Sequence, residues 1–380
     1  MNQPIRILHV VTYMGRGGLE TMLMNYYRHI DRDLVQFDFL THRQERAAYD
    51  DEIESLGGII YRLPRLVPWS RTYQHALDTF FKSHPEYRIV HVHQDCLSSV
   101  ILKVAQRNGV PVRIAHSHSS AQDKNLKYPI KLYYRRLIPW FATDLFACGK
   151  DAGYWMFGGA TFQVLNNAID AASYRYDLQK ASQMRQTLNI PQNALVIGHV
   201  GRFSPPKNHE FLVDIFAALD KKEQNVFLLL VGDGELRPKM EERVRSLGLA
   251  DHVTFTGIRN DVPDLLQAMD VFVFPSHYEG LGIVAIEAQA SGLPCVISDS
   301  IPNDCDLTDL VTRVSLTQSA NTWAEKILTV SQSPRRDTYQ TIADGGYTIA
   351  ENARWLQNYY LEQWKATEYY ANLDRIYPCL

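Results

Sequence analysis

Two glutamates stand eight residues apart around a glycine turn, in Glu279-Gly280-Leu281-Gly282-Ile283-Val284-Ala285-Ile286-Glu287. The apolar run before them, Val271-Phe272-Val273-Phe274-Pro275, reads as a buried parallel strand. The run after them, through Ser291, reads as a helix that stops at Gly292. A strand that hands over to a helix at two glycines leaves free backbone N–H groups. It also leaves the positive end of a helix dipole, and both suit a phosphate. Glu279 falls in the loop and Glu287 about one turn inside the helix. A carboxylate repels a phosphate, so the hydroxyls of a ribose or a sugar are the natural targets of this pair. The arrangement therefore points to a nucleotide-sugar site.

Two cations follow the same logic. Gly198-His199-Val200-Gly201-Arg202-Phe203 ends a strand, and Lys207 comes five residues after Arg202. Fixed cations stabilise a departing diphosphate more than the bound ground state. Arg supplies a planar fork and Lys a compact charge, although a solvated loop also carries such pairs. Val231-Gly232-Asp233-Gly234-Glu235 is a generic turn by composition. In Gly15-Arg16-Gly17-Gly18-Leu19-Glu20, Gly17 and Gly18 open a helix after the first strand. Its spacing is not G-x-G-x-x-G, so a nicotinamide-dependent oxidoreductase is disfavoured. His91 and His93 end one strand, and His116 and His118 end another. Such residues line the carboxyl edge of a parallel sheet. No H-E-x-x-H or cysteine pattern accompanies them, so no metal and no cofactor are expected. Asp304-Cys305-Asp306 is formally a D-x-D but reads as a polar loop.

The glutamate segment resembles the Glu-x7-Glu signature of the retaining glycosyltransferases of family four, which have the GT-B fold. The Gly-Arg-Phe…Lys spacing is similar to that family's diphosphate-binding pair. Thr256-Gly257-Ile258-Arg259 resembles its nucleobase segment, with Gly257 and Arg259 beside the base. Ile114-Ala115-His116-Ser117-His118-Ser119-Ser120 resembles its histidine motif, with His118 the better match and His116 the runner-up. Asn166-Asn167-Ala168-Ile169-Asp170 resembles the crossover between its domains, with Ala168 where glycine is usual. Gly149 departs likewise from the usual serine. Phe146-Ala147-Cys148-Gly149-Lys150 and Asp299-Ser300-Ile301-Pro302 resemble bacterial capsular and exopolysaccharide enzymes.

These residues need a scaffold. The chain has 380 residues, too many for one typical core, and 46% of them are apolar. Strand-like runs are expected at 5–11, 35–40, 59–63, 89–93, 112–116 and 145–148. A second series is expected at 195–200, 226–231, 253–256, 271–274, 295–298 and 311–316. Helical stretches such as 21–30, 97–108 and 178–188 lie between them. Two alternating α/β series imply two Rossmann-like, doubly wound parallel-sheet domains. The boundaries fall at 1–167, 168–355 and 356–380. The resemblance implies a cleft between the domains and a C-terminal helix, within 348–364, that returns to the first. A net charge of −3 gives no push toward nucleic acid. Five scattered cysteines indicate neither a disulfide framework nor a thiolate zinc site, and a reducing cytoplasm fits. No signal peptide or bilayer-spanning run is read.

Lys124, Lys127, Lys131 and Arg135 recur at helical spacing, interleaved with Tyr128, Ile130, Leu132, Tyr133, Tyr134, Leu137, Ile138 and Trp140. Such a stripe suits an anionic membrane surface, and Pro129 is expected to split the helix in two. The reading is a retaining hexosyl- or N-acetylhexosaminyltransferase. It would move a sugar from a UDP-sugar to a lipid-linked oligosaccharide on the cytoplasmic face. Arg202, Lys207 and the amides of Gly280, Leu281, Gly282 and Ile283 would hold the diphosphate. Glu287 would hold the ribose, Glu279 the sugar hydroxyls, and His118 the transferred sugar. A GT-B sugar epimerase and an inactive nucleotide-sugar-binding subunit are the alternatives.

Overall fold

A computed structural model describes residues 3–119 and 126–376, with side chains described as far as residue 369. The first sheet comprises β1 (Ile5–Val10), β2 (Val35–Thr41), β3 (Ile60–Arg62), β4 (Ile89–Val92), β5 (Val112–Ser117), β6 (Asp144–Ala147) and β7 (Gln163–Val164). The second comprises β8 (Leu195–Val200), β9 (Val226–Val231), β10 (Val253–Gly257), β11 (Val271–Phe274), β12 (Cys295–Ser298) and β13 (Val311–Val314). Within these sheets every strand pair is parallel.

The strand orders are β3-β2-β1-β4-β5-β6-β7 and β10-β9-β8-β11-β12-β13. Each sheet grows outward from its first strand, then restarts on the other side. That reversal separates the β1 and β4 connections, and the β8 and β11 connections, onto opposite faces. Ligands bind outside the carboxyl ends of the strands at such a point. The apolar runs explain the pattern. β11 and β12 are buried at every position, as strands covered on both faces must be.

Two compact units result, Met1–Ile169 with Thr348–Leu380, and Asp170–Tyr347. The polypeptide changes unit at 169/170 and again at 347/348, against expected limits of 167/168 and 355/356. The helix Ile349–Ile376 belongs to the first unit. Its Ile349, Ala353, Leu356, Tyr359 and Tyr360 join Ile7, Phe37, Phe39 and Phe146 in one core cluster. At about 25 cal/mol per Å², each buried aromatic adds roughly 2–3 kcal/mol of holding energy.

One expectation is corrected. The basic-aromatic segment is a single helix, Tyr128–Phe141, rather than two pieces. Pro129 sits in its first turn, where its missing N–H has no intrahelical partner to lose. Lys124 lies outside the described residues.

Candidate active site

In the second unit the turns at the strand ends are stitched together. After β8, the Gly201 N–H donates to the Val231 carbonyl (2.9 Å) and the Phe203 N–H to that of Asp233 (3.0 Å). A Cβ at Gly232 or Gly234 would stand 2.1 Å from the Gly201 oxygen or 2.5 Å from the Phe203 oxygen. Only glycine lets these two turns approach so closely. The Gly232 N–H donates in turn to the Gly257 carbonyl at 2.9 Å, which brings in the end of β10.

The loop after β8 is also tied to the loop after β11. Asn208 takes a left-handed conformation (φ 56°), and its Nδ2 donates to the Pro275 carbonyl at 3.1 Å. The His277 N–H donates to the Pro206 carbonyl at 2.8 Å. The result is a pair that no local pattern shows. Lys207 Nζ lies 2.8 Å from Glu279 Oε1 and 2.9 Å from Oε2. The ammonium also sits 5.0 Å from the centre of the Phe274 ring. The two side chains are only 21% and 12% exposed, so solvent screens the pair poorly.

Gly282, at φ 83°, stands at the N-cap of the helix Ile283–Ala290, and among the described residues no side-chain hydrogen bond caps that helix. Leu281 is buried and Gly280 exposed, so the turn opens on one side. Glu287 is half-buried one turn in. Burial pushes its carboxyl up to about 7, against the Tyr174 hydroxyl and the charge of Lys207. Tyr174, from the short helix Ala171–Tyr174, was not singled out in the sequence.

His199 and His209 lie next to Lys207. His199 is buried with Nδ1 2.9 Å from the Val273 carbonyl, and His209 stacks on Phe203 at 4.0 Å. Burial, and then the Lys207 charge, push His209 down to about 4. Both rings are therefore neutral near pH 7 and add no positive charge beside Lys207.

Two other cations stand apart from this cluster. Arg202 is 73% exposed, with its guanidinium 3.2 Å from Glu235. Arg259 is held by its neighbour Asp261 at 2.8 and 2.6 Å, beside Gly257 at φ 72°. Asp306 is paired with Arg313 at 2.7 and 2.9 Å, which accounts for the D-x-D as a polar loop.

In the first unit, Gly17 caps the helix Gly18–His29. The Glu20 carboxylate folds back to accept the N–H groups of Gly17 and Glu20, and burial raises its pKa. The Gly17-Gly18 turn thus holds an internal carboxylate. His118, just past β5, is half-buried with Nε2 2.8 Å from His93 Nδ1. Burial pushes His118 down to about 3, which makes it a neutral imidazole.

Residues 180–347 match the family model "Glycosyl transferases group 1", and residues 16–150 match "Glycosyltransferase Family 4". EpsF of Bacillus subtilis (strain 168), named for a glycosyltransferase, is 40% identical over 93% of this chain and 96% of its own length. The UDP-Gal:alpha-D-GlcNAc-diphosphoundecaprenol alpha-1,3-galactosyltransferase of Escherichia coli is 30% identical over 58% of this chain and 60% of its own. The crystal structure of Anabaena HepE in complex with UDP and glucose superposes with a TM-score of 0.72 at 21% identity. That superposition covers 93% of this chain and 94% of HepE.

Proposed function

This chain belongs to glycosyltransferase family 4 and has the GT-B fold, and we propose that it transfers a hexosyl or N-acetylhexosaminyl group from a UDP-sugar, with retention, to a lipid-linked oligosaccharide. The product would be a capsular or exopolysaccharide intermediate built at the cytoplasmic face. The observation that carries this reading is the Lys207–Glu279 pair beside the uncapped Gly282 helix end. An ammonium has three N–H donors. Glu279 takes two of them, and the third is left for a phosphate oxygen. The amides from Gly280 to Ile283 add dipoles for the same anion, so the diphosphate needs no metal ion.

The remaining roles follow from chemistry. Arg202 is exposed and loosely paired, and so is free to swing onto the diphosphate. Glu287 would take the ribose hydroxyls, with Tyr174 steadying it. Glu279 would hold sugar hydroxyls through the oxygen edges that Lys207 leaves open. Gly257 and Arg259 would border the base. In the first unit, His118 would meet the transferred sugar, and the Gly17-Gly18 turn would take the donor phosphate only in place of the Glu20 carboxylate. In retention on one face, the leaving phosphate takes the acceptor proton. Neither glutamate is then a covalent nucleophile.

The lipid acceptor is supported by the relative that acts on a diphosphoundecaprenol substrate. It is supported also by the helix Tyr128–Phe141. Ile130, Tyr133 and Trp140 are 39%, 61% and 78% exposed, and with Leu137 they recur at i, i+3, i+7 and i+10. That is one apolar stripe, the form in which a helix lies on a bilayer. Among the described residues no helix is long and apolar enough to cross a membrane. Arg135 does not join the stripe. Its guanidinium donates to the Trp155 carbonyl at 2.8 Å and lies 5.0 Å from the Trp155 ring.

The test is a panel of nucleotide sugars screened by thermal shift, followed by measurement of UDP release with and without a lipid-linked acceptor. Acceptor-dependent release from a UDP-sugar is expected. Interconversion of the nucleotide sugar without acceptor would instead favour the epimerase reading.

A further inference from the structure

Five histidines share one face of the first sheet at its carboxyl edge. Parallel register sets this: His9 lies opposite His91 across β1 and β4. His-x-His then recurs at 91/93 and at 116/118, and the two-residue period of a strand keeps each pair on one face. The pairing of Val92 with Ala115 carries His93 alongside His116.

A chain of three imidazoles runs through this face. His118 Nε2 lies 2.8 Å from His93 Nδ1, and His93 Nε2 lies 3.1 Å from His9 Nδ1. Burial lowers the pKa of all three, to about 3 for His9 and His118, so each ring is neutral near pH 7. Three neutral imidazoles carry three N–H groups, and the two links use two of them. The third N–H must sit at one end, on His9 Nε2 or His118 Nδ1, neither of which has a partner among the described residues. His9 is fully buried, with Phe37 and Phe39 at 4.2 and 5.7 Å between ring centres. An orphaned donor there is the costlier choice, whereas an unused lone pair is better tolerated. His118 Nδ1 is enclosed as well, but its ring is only half-buried and lies past the end of β5 rather than beside Phe37 and Phe39.

We propose that His9 and His93 are positioning residues that hold His118 as its Nδ1–H tautomer, a neutral donor offered to an oxygen of the transferred sugar. His9 donates through Nδ1 to His93 Nε2, and His93 donates through Nδ1 to His118 Nε2. The direction of the whole chain is set at the apolar end. The role at the sugar rests on the reading of His118 given above; the tautomer does not. The competing use of this face is a transition-metal site, since ring nitrogens of His93, His116 and His118 lie within 4.8 Å of one another. Against it, two ligands of a tetrahedral zinc stand about 3.3 Å apart, given bonds of about 2.0–2.1 Å. The 2.8 Å contact is shorter, as a shared proton requires.

The test is the tautomer itself, read by long-range 1H–15N NMR on the full chain labelled at histidine, with His118 assigned by His118→Asn. The wild type should show His118 protonated at Nδ1, and chelator should leave the spectrum unchanged. His93→Phe should give mixed tautomers at His118 and lower kcat about tenfold or more with donor KM nearly unchanged. His93→Gln, whose amide accepts on one side and donates on the other, should restore part of kcat. Protonation of His118 at Nε2 in the wild type would overturn the proposal even if His93→Phe does not fold. So would an unaltered His118 in His93→Phe, or a stoichiometric metal whose removal changes these signals. Full transfer activity in His118→Asn would overturn the role at the sugar and the underlying reading of His118, while the NMR result would still decide the chain.

Discussion

Lys207 and Glu279 are 72 positions apart in sequence, yet the ammonium meets both carboxylate oxygens at 2.8 and 2.9 Å. The pair is mostly enclosed, at 21% and 12% exposure, so its members are not interchangeable surface charges. Removing one leaves the other poorly solvated and uncompensated.

Lys207→Ala should therefore have two separable effects. Loss of a preorganised cation at the leaving group costs roughly 2–4 kcal/mol in the transition state, about 30- to 1000-fold in kcat. Stability should fall as well, because Glu279 is stranded. The double variant Lys207→Ala/Glu279→Ala should melt above Lys207→Ala alone while remaining as inactive. Equal melting temperatures for the single and double variants would show that the pair is not coupled.

Arg202→Ala should lower kcat without a change in melting temperature, since the side chain is 73% exposed and its one carboxylate contact is at 3.2 Å. Thermal melts beside single-turnover kinetics check this. A large loss of stability with unchanged turnover would assign Arg202 to the fold.

Glu287 sets a pH dependence whose sign can be worked out. Burial raises its carboxyl to about 7 from an ordinary 4.5. Between those values the folded state holds the proton that the unfolded state has released. Stability from this group therefore falls as pH rises from 4.5 toward 7, then levels off. Glu287→Gln should gain stability over wild type at pH 8 and little at pH 4.5. UDP binding should move the other way, tightening as pH rises through 7, because the carboxylate is the better acceptor for ribose hydroxyls. Calorimetry at pH 6 and 8, in wild type and Glu287→Gln, cancels the titration of the nucleotide itself. The same pH dependence in both proteins would remove Glu287 from the ribose.

Much of the scaffold was legible because parallel strands buried on both faces are written as continuous apolar runs. β8, β9, β11 and β12 coincide with the runs at 195–200, 226–231, 271–274 and 295–298. β7 was not read, since Gln163-Val164 is two exposed residues with no periodicity to show. The helix Arg71–Ser83 was also missed, although Tyr73, Leu77, Phe80 and Phe81 are spaced as one buried face. The Lys207–Glu279 contact and the approach of Tyr174 to Glu287 were not legible. They join positions 72 and 113 residues apart, the first through hydrogen bonds from Asn208 to Pro275 and from His277 to Pro206 that tie two separate loops together. The histidine face was half legible: the two His-x-His pairs are visible in sequence, but the register that brings His9 beside them is not.

The apolar stripe on the helix Tyr128–Phe141 gives a membrane prediction. Wild type should sediment with vesicles containing anionic lipid, less so at high salt. Replacing Ile130, Tyr133 and Trp140 by serine should abolish binding, while Arg135→Gln should perturb stability through Trp155 more than it perturbs binding. Equal sedimentation of the serine variant and wild type would make the stripe an ordinary surface.

The most direct test of metal-free transfer through Lys207 is a single assay. Radiolabelled sugar is supplied as its UDP derivative with a diphosphoundecaprenol-linked acceptor, in excess chelator, to wild type and to Lys207→Ala. Label should appear in the lipid fraction with wild type at an undiminished rate, and Lys207→Ala should be slowed at least about 30-fold. Loss of wild-type transfer in chelator, restored by magnesium or manganese, would contradict the account, as would full activity in Lys207→Ala.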